Sequence, residues 1–564
     1  MELPLIAVAG VIAIVAVAVL SRRIGVAAPL GLVVVGAALG FTPGLPPVEV
    51  DPDWVLTVVL PPLLYGAAVH MPAIDFRRDF KMIASLAVLL VVVTTLVSGW
   101  MFNAVIGGLG LAGAFALGAI ISPTDAVAAT SVGRRLGLPS RLMTILEGEG
   151  LVNDASSLVL LSSAIAAMTQ TVHVWRIGLD FLWAVAAAIA VGLAIGALSV
   201  RVRARLNDTV LTTAISFVVP FVAFLPAEEL GASGVLAVVV TGLVTGHMSP
   251  RHLRARDRIA ETVNWTTVAF LLESAIFLLM GLQLHTLLDQ AGNSDLGTAK
   301  AVGIGLLASL LVVVLRMLFV APLVSSIGHD AERADELASR LSRMRERLGD
   351  PVRNGNERHR ERMEQRISQR ESDIAFVVAE NFGWRGGVVL AWSGMRGAVT
   401  VAAAQTLPAG TPHRPQVQLI AFVVAVTTLL AQGLTLPRVI RAVKVPGDDT
   451  GADRAEYQEL LRRLGAVAGE ILDGPSTGER FDPAVVERVR EDTAASVPPE
   501  GEERPPPDAD LREQYLTLVL EVLGAEQIEL LSVRDLGLYS SRTLTFAQDV
   551  LDRELARFQQ GPDT

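Results

Sequence analysis

The chain has 564 residues, 51% of them hydrophobic and 18% charged, and its mean hydropathy of +0.49 is too high for a soluble protein of this length. It has no cysteine, which excludes a disulfide framework, a thiolate metal site, a cysteine nucleophile and a redox dithiol. The formal charge of −10 is uneven: residues 445–564 hold 26 Asp and Glu against 12 Lys and Arg, so an acidic tail follows a mildly basic body, and a nucleic-acid partner is not expected.

A hydrocarbon core about 30 Å thick demands apolar runs of roughly 15 to 25 residues from a helix. Thirteen such runs are expected, at 3–20, 26–40, 53–69, 82–106, 109–130, 141–167, 176–200, 209–226, 231–247, 264–288, 299–321, 386–407 and 416–436. The first has no basic stretch before it and no small-residue cleavage site after it, so it reads as a retained span and not a signal peptide. The fold class is an all-α polytopic membrane protein with about 13 transmembrane helices and a cytoplasmic helical tail. Spans 1–11 fill 1–322, an Arg/Glu-rich insertion occupies 323–385, spans 12 and 13 fill 386–440, and the tail occupies 445–564.

Arg and Lys fall on alternate loops. Those after spans 1, 3, 5, 7 and 9 carry fifteen, among them Arg22, Arg77, Arg134, Arg201 and Arg258, whereas the intervening loops carry only Arg176, Lys300 and Arg414. The basic loops are therefore assigned to the cytoplasm, with the N-terminus outside and the C-terminus inside. In the insertion, Leu337, Leu341, Met344 and Leu348 recur at helical spacing before a Gly-Asp-Pro turn, and Met363, Ile367 and Ile374 resume the stripe, which reads as a helical hairpin. Helices are expected near 452–472 and 510–531 in the tail, joined by a Pro-rich linker at 498–507. The tail carries no nucleotide-binding motif and is a candidate regulatory domain for an unidentified ligand or protein.

An ionisable side chain inside a span costs several kcal/mol, so each one needs a partner or a function. The set is Asp125, Glu147, Glu149, Asp154, Glu273, Arg316 and Arg396. Asp125 ends Ser122-Pro123-Thr124-Asp125, where Pro123 removes a donor and breaks span 5, freeing carbonyls beside a carboxylate. Such a cluster of hard oxygens suits a cation; alone, it reads first as a proline kink with a solvated Asp near a helix end. Span 6 adds Glu147, Glu149, Asn153 and Asp154. At 100° per residue Glu147 and Asp154 share one face, about 10 Å apart along the axis, and Glu149 stacks with Asn153 on another. Arg316 requires a carboxylate partner, Glu149 in the first place. Arg396 lies between Gly394 and Gly397, a second candidate break in span 12, so corresponding breaks in spans 5 and 12 point to inverted repeats with two crossing broken helices. His70, His247 and His285 near span ends read as interfacial bystanders or pH sensors.

These residues resemble the monovalent cation:proton antiporters of the bacterial NhaP type and the animal sodium/proton exchangers. The resemblance rests on Ser122-Pro123-Thr124-Asp125, the run Glu149 to Asp154, the run Leu230 to Ala237, the run Gly394 to Ala398, and the run Ala431 to Thr435, five segments in the family's order. It implies a homodimer in the lipid bilayer, with a dimerisation domain, a moving core domain and no cofactor. It also implies a monovalent cation held at Asp154, Asp125 and Thr124, with Asn153 beside them, a structural ion pair of Glu149 with Arg316, and supporting roles for Arg396, Glu147 and Ser122. The Asn153-Asp154 pair further implies electroneutral one-for-one exchange in a bacterial plasma membrane. Three positions depart from the pattern: Gly66 stands where an acid is common, Gly150 where a serine is common, and Ala126 where a proline is common. The expected cargo is Na⁺, with Li⁺ or K⁺ as alternatives, and the rival readings are a proton-coupled transporter of another small substrate or a cation channel. An enzyme is not expected, since no catalytic motif is present.

Overall fold

The computed structural model describes residues 2–25, 27–43, 54–169, 174–292, 297–332, 382–447, 450–494 and 509–558, with isolated positions between 343 and 376. Among the described residues all regular structure is helical, apart from one bridge between Asp125 and Met395. The helical hairpin expected in the insertion lies outside them from residue 333 onward.

The chain divides into two compact units. The first comprises 1–249, 261–330 and 382–447. Among the described residues, seven helices are by length and composition fit to cross a membrane: Phe80–Val105, Ser140–Met168, Gly178–Arg203, Thr209–Glu229, Ala255–Gly292, Thr298–Ser326 and Arg414–Val443. Ala28–Gly40, Val55–His70 and Gly110–Ile121 are shorter apolar helices. Pro61 and Pro62 sit inside Val55–His70, where each lacks the N–H that a helical turn uses, and the turn before them, Val55–Val59, widens to π geometry.

Small residues bring the helices together closely. Gly118 rests on the Thr95 carbonyl and the Gly99 backbone, so Gly110–Ile121 packs against Leu90–Val105 at backbone distance. On its other side Gly110–Ile121 meets Ser140–Thr169, the helix that carries the acids. The apolar core around them includes Leu117, Ile120, Leu142, Ile145 and Leu146.

Two helices are interrupted. Gly110–Ile121 stops at Ser122, and the chain resumes as Val127–Leu136, which ends at Gly137 in the left-handed conformation (φ 68°). Gly383–Trp392 stops at Ser393 and resumes as Ala398–Gln405. The two breaks cross: the Asp125 N–H donates to the Met395 carbonyl at 2.6 Å.

The second unit comprises 250–260, 331–381 and 448–564. Thr450–Leu472, Pro483–Ala494, Ala509–Leu536 and Ser541–Phe558 share a core of Leu460, Leu464, Val489, Leu518, Val522, Leu530, Leu551 and Leu555. The first and third of these helices coincide with the sequence reading. Pro483–Ala494 and Ser541–Phe558 were not anticipated, although Leu544, Ala547, Leu551 and Leu555 recur at helical spacing. Ala255 belongs to this core, and Arg258, buried in the same unit, pairs with Asp552.

Candidate functional site: the crossing of two broken helices

A helix break leaves carbonyls at one end and N–H groups at the other without partners, inside a medium that offers no water. Four half-helix ends face this crossing, and each meets a charge opposed to its dipole. At the C-terminal end of Gly110–Ile121, the Arg396 Nε donates to the Ile121 carbonyl at 3.1 Å. At the C-terminal end of Gly383–Trp392, the Arg316 guanidinium donates to the Leu390 carbonyl at 3.0 and 3.2 Å. At the N-terminal end of Val127–Leu136, Asp125 Oδ1 accepts the Val127 N–H at 2.8 Å. Gly397 is the N-cap of Ala398–Gln405, and a Cβ there would overlap Asp125 Oδ2. One carboxylate thus sits at the N-terminal ends of both half-helices.

Glu149 is locked differently. Its two oxygens accept both terminal nitrogens of Arg316, and Oε1 also accepts the Thr124 hydroxyl at 2.6 Å. Both side chains are almost fully buried, and a Cβ on Gly394 would overlap the guanidinium, so glycine there makes room for the pair. Asn153 lies one turn along from Glu149, and its Nδ2 donates to the Thr124 carbonyl and hydroxyl, both at 2.8 Å. Because that carbonyl is only an acceptor, the amide nitrogen must face it. Asn153 Oδ1 then points elsewhere, buried and, among the described residues, without a hydrogen-bond partner.

Asp154 is buried, and it interacts electrostatically with Asp125. The structure therefore brings together Asp154, Asp125, Thr124 and Asn153, and sets Glu149 and Arg316 behind them. Ser122 is also buried at the break, where its hydroxyl donates to the Ala119 carbonyl at 2.8 Å. Glu147 stands apart, paired with the largely exposed Arg134 at 2.5 Å. His70 contacts its own helix, Nδ1 lying 2.6 Å from the Gly66 carbonyl, and His285 lies 3.4 Å from Asp289.

The departures from the family pattern have a spatial logic. A Cβ on Gly150 would lie 3.3 Å from the Ala126 Cβ and 3.9 Å from the Thr124 carbonyl, so two of the three adjoin each other at the break. The third, Gly66, faces the ring of Trp265 at 3.1 Å, and that indole fills the space a side chain would need.

Sequence reasoning missed the partners that lie far along the chain. The carbonyls of Ile121 and Leu390, and the Thr428 hydroxyl that accepts the Arg396 N–H at 3.0 Å, carried no local signal. The glycines at 394 and 397 did mark where something large approaches.

Interrupted helices crossing at their breaks, with carboxylates beside them in an apolar helical body, are the architecture of a secondary transporter. The chain belongs to the sodium/hydrogen exchanger family, whose transmembrane model matches residues 10–442. It is 29% identical over 563 residues to a Na⁺/H⁺ exchanger of Mycobacterium tuberculosis, covering 97% of this chain and 94% of that one. It is also 29% identical over 467 residues to the low-affinity Na⁺/H⁺ antiporter NhaS1 of Synechocystis, covering 81% of this chain and 77% of that one. The fold is similar to that of the sodium proton antiporter MjNhaP1 of Methanocaldococcus jannaschii, with a TM-score of 0.54 at 16% identity, covering 78% of this chain and 99% of that one.

Proposed function

We propose that this chain exchanges a monovalent cation, Na⁺ foremost, for H⁺ across the membrane, one for one, by competition at Asp154. The observation that carries the reading is the contrast between two neighbouring carboxylates. Asp125 is committed to two helix N-terminal ends, whereas Asp154 is buried beside it with no such anchor. A carboxylate placed in this way holds either a proton or a cation, and Asn153 Oδ1 adds a neutral oxygen without a partner. If the core moves only when Asp154 is neutralised, the two fluxes are coupled. The family, and the names of its relatives, support the same cargo.

Thirteen membrane crossings, a homodimer, and a bacterial plasma membrane with the C-terminus in the cytoplasm complete the proposal. In support of the topology, Arg251 and Arg258 of a loop assigned to the cytoplasm pair with Asp535 and Asp552 of the tail, so both belong on one side of the membrane.

The test is dissipation of a pH gradient in proteoliposomes, with Na⁺, Li⁺ or K⁺ added separately and the voltage clamped by valinomycin and K⁺. Cation-dependent proton movement that is insensitive to voltage and lost in Asp154→Asn is the expected result. Substantial exchange by that variant would refute competition at Asp154.

A further inference from the structure

Thr400 lies in the first turn of Ala398–Gln405, is 1% exposed, and its Oγ1 has no hydrogen-bond partner. A helical threonine ordinarily donates to the carbonyl three or four residues back. Here those residues are Gly397 and Arg396, which belong to the break, with Gly397 extended (φ −118°, ψ −162°), and the usual bond is not made. Among the described residues the hydroxyl therefore keeps its lone pairs and its proton uncommitted, although it is buried.

With Gly397 as N-cap, Thr400 is the third residue of the helix and lies in its first turn, at the crossing. Gly397 has no side chain, and Asp125 Oδ2 occupies the room where one would begin. Thr400 and the Asp125 carboxylate thus both lie at the N-terminal end of the same half-helix. Asn153 Oδ1, on a third helix at the crossing, is likewise buried and unpartnered. A buried polar oxygen left without a bond costs about 1–3 kcal/mol, so two of them at one crossing call for a group that is present only part of the time.

We propose that the Thr400 hydroxyl is a further ligand for the transported cation, acting beside Asp125 and Asp154 and setting the preference among Na⁺, Li⁺ and K⁺. The inference rests on the antiport reading above. A hydroxyl supplies a hard oxygen without adding charge, and it lies at a crossing where Gly150 contributes no side-chain oxygen.

The full-length protein in proteoliposomes tests this with Thr400→Val, Thr400→Ser and Asp154→Asn. Thr400→Val is expected to raise the half-saturating Na⁺ concentration about tenfold, to keep the maximal rate within about twofold, and to change the Na⁺:Li⁺:K⁺ ratio. Thr400→Ser is expected to restore all three. A transport-free readout is the rise in melting temperature with added Na⁺, whose midpoint is expected to move by the same factor in Thr400→Val. An unchanged half-saturation and ion ratio in Thr400→Val, or a Thr400→Ser variant that behaves like Thr400→Val, overturns the proposal and leaves a helix-packing or water-binding threonine. If Thr400→Val does not fold, Thr400→Ala takes its place: a raised half-saturating Na⁺ concentration with a changed Li⁺:Na⁺ ratio supports the ligand, and native values of both overturn it. A native protein that moves protons with none of the three cations sinks the antiport reading itself, a result distinct from either.

Discussion

Arg316 grips Glu149 with both terminal nitrogens while the same guanidinium serves the Leu390 carbonyl of a neighbouring half-helix. The pair is sealed from solvent, so removing one partner strands the other charge. Arg316→Ala is expected to lower stability by about 3–5 kcal/mol, and Arg316→Met combined with Glu149→Gln to recover part of that loss. Thermal unfolding in detergent checks this; a single variant as stable as the native chain would show that the pair is not required.

Gly397 holds open the place that Asp125 Oδ2 occupies. Gly397→Ala adds one methyl at the N-cap and forces the carboxylate away from the N-terminal end of Ala398–Gln405, while the extended backbone there (φ −118°, ψ −162°) is open to alanine. Cation-dependent proton movement is expected to fall by more than about tenfold, with a smaller effect on melting than that of Arg316→Ala. Normal exchange in the variant would mean that the carboxylate has another resting place.

The crossing was legible in part. Pro123 and the pair Gly394 and Gly397 announced two interruptions, because proline removes a donor and glycine admits a close approach, and both effects are local. Glu149 and Asn153 were expected on one side of their helix, and both reach Thr124. The double duty of Asp125 was not legible, since it depends on Gly397, which lies 272 positions away along the chain and meets it only through the fold. The same holds for Arg258 and Asp552, 294 residues apart. A loop arginine carries no mark that distinguishes a topology signal from a buried partner.

Arg258 donates through Nε to Asp552 at 2.8 Å, and its other nitrogens reach Asp552 again and the carbonyls of Pro250 and Leu253. Gln548 braces Asp552 at 2.8 Å, and Gln527 donates to the Pro250 carbonyl at 2.9 Å. The acidic tail therefore clasps residues 250–260. Asp552→Ala is expected to raise amide hydrogen exchange in 250–260 and 541–558 by at least about tenfold, because a stranded buried Arg weakens the whole clasp. Unchanged protection in 250–260 would show that the ion pair does not hold the two segments together.

Beside that clasp, burial and then the neighbouring Glu554 carboxylate push Glu526 up from 4.5 to about 7. Between those two values the folded chain keeps a proton that the unfolded chain has released, so the contribution of Glu526 to stability falls as pH rises from about 4.5 to about 7 and is level above that. Glutamine resembles the protonated acid in shape and charge. Glu526→Gln is thus expected to melt with the native protein near pH 4.5 and increasingly above it toward pH 7.5, by a margin of about 2–8 °C for a difference of 1–2 kcal/mol. Scanning calorimetry of the full-length protein across that range measures the margin. A difference that does not change with pH would assign the effect to packing of the amide and remove Glu526 from the titrating groups of the tail.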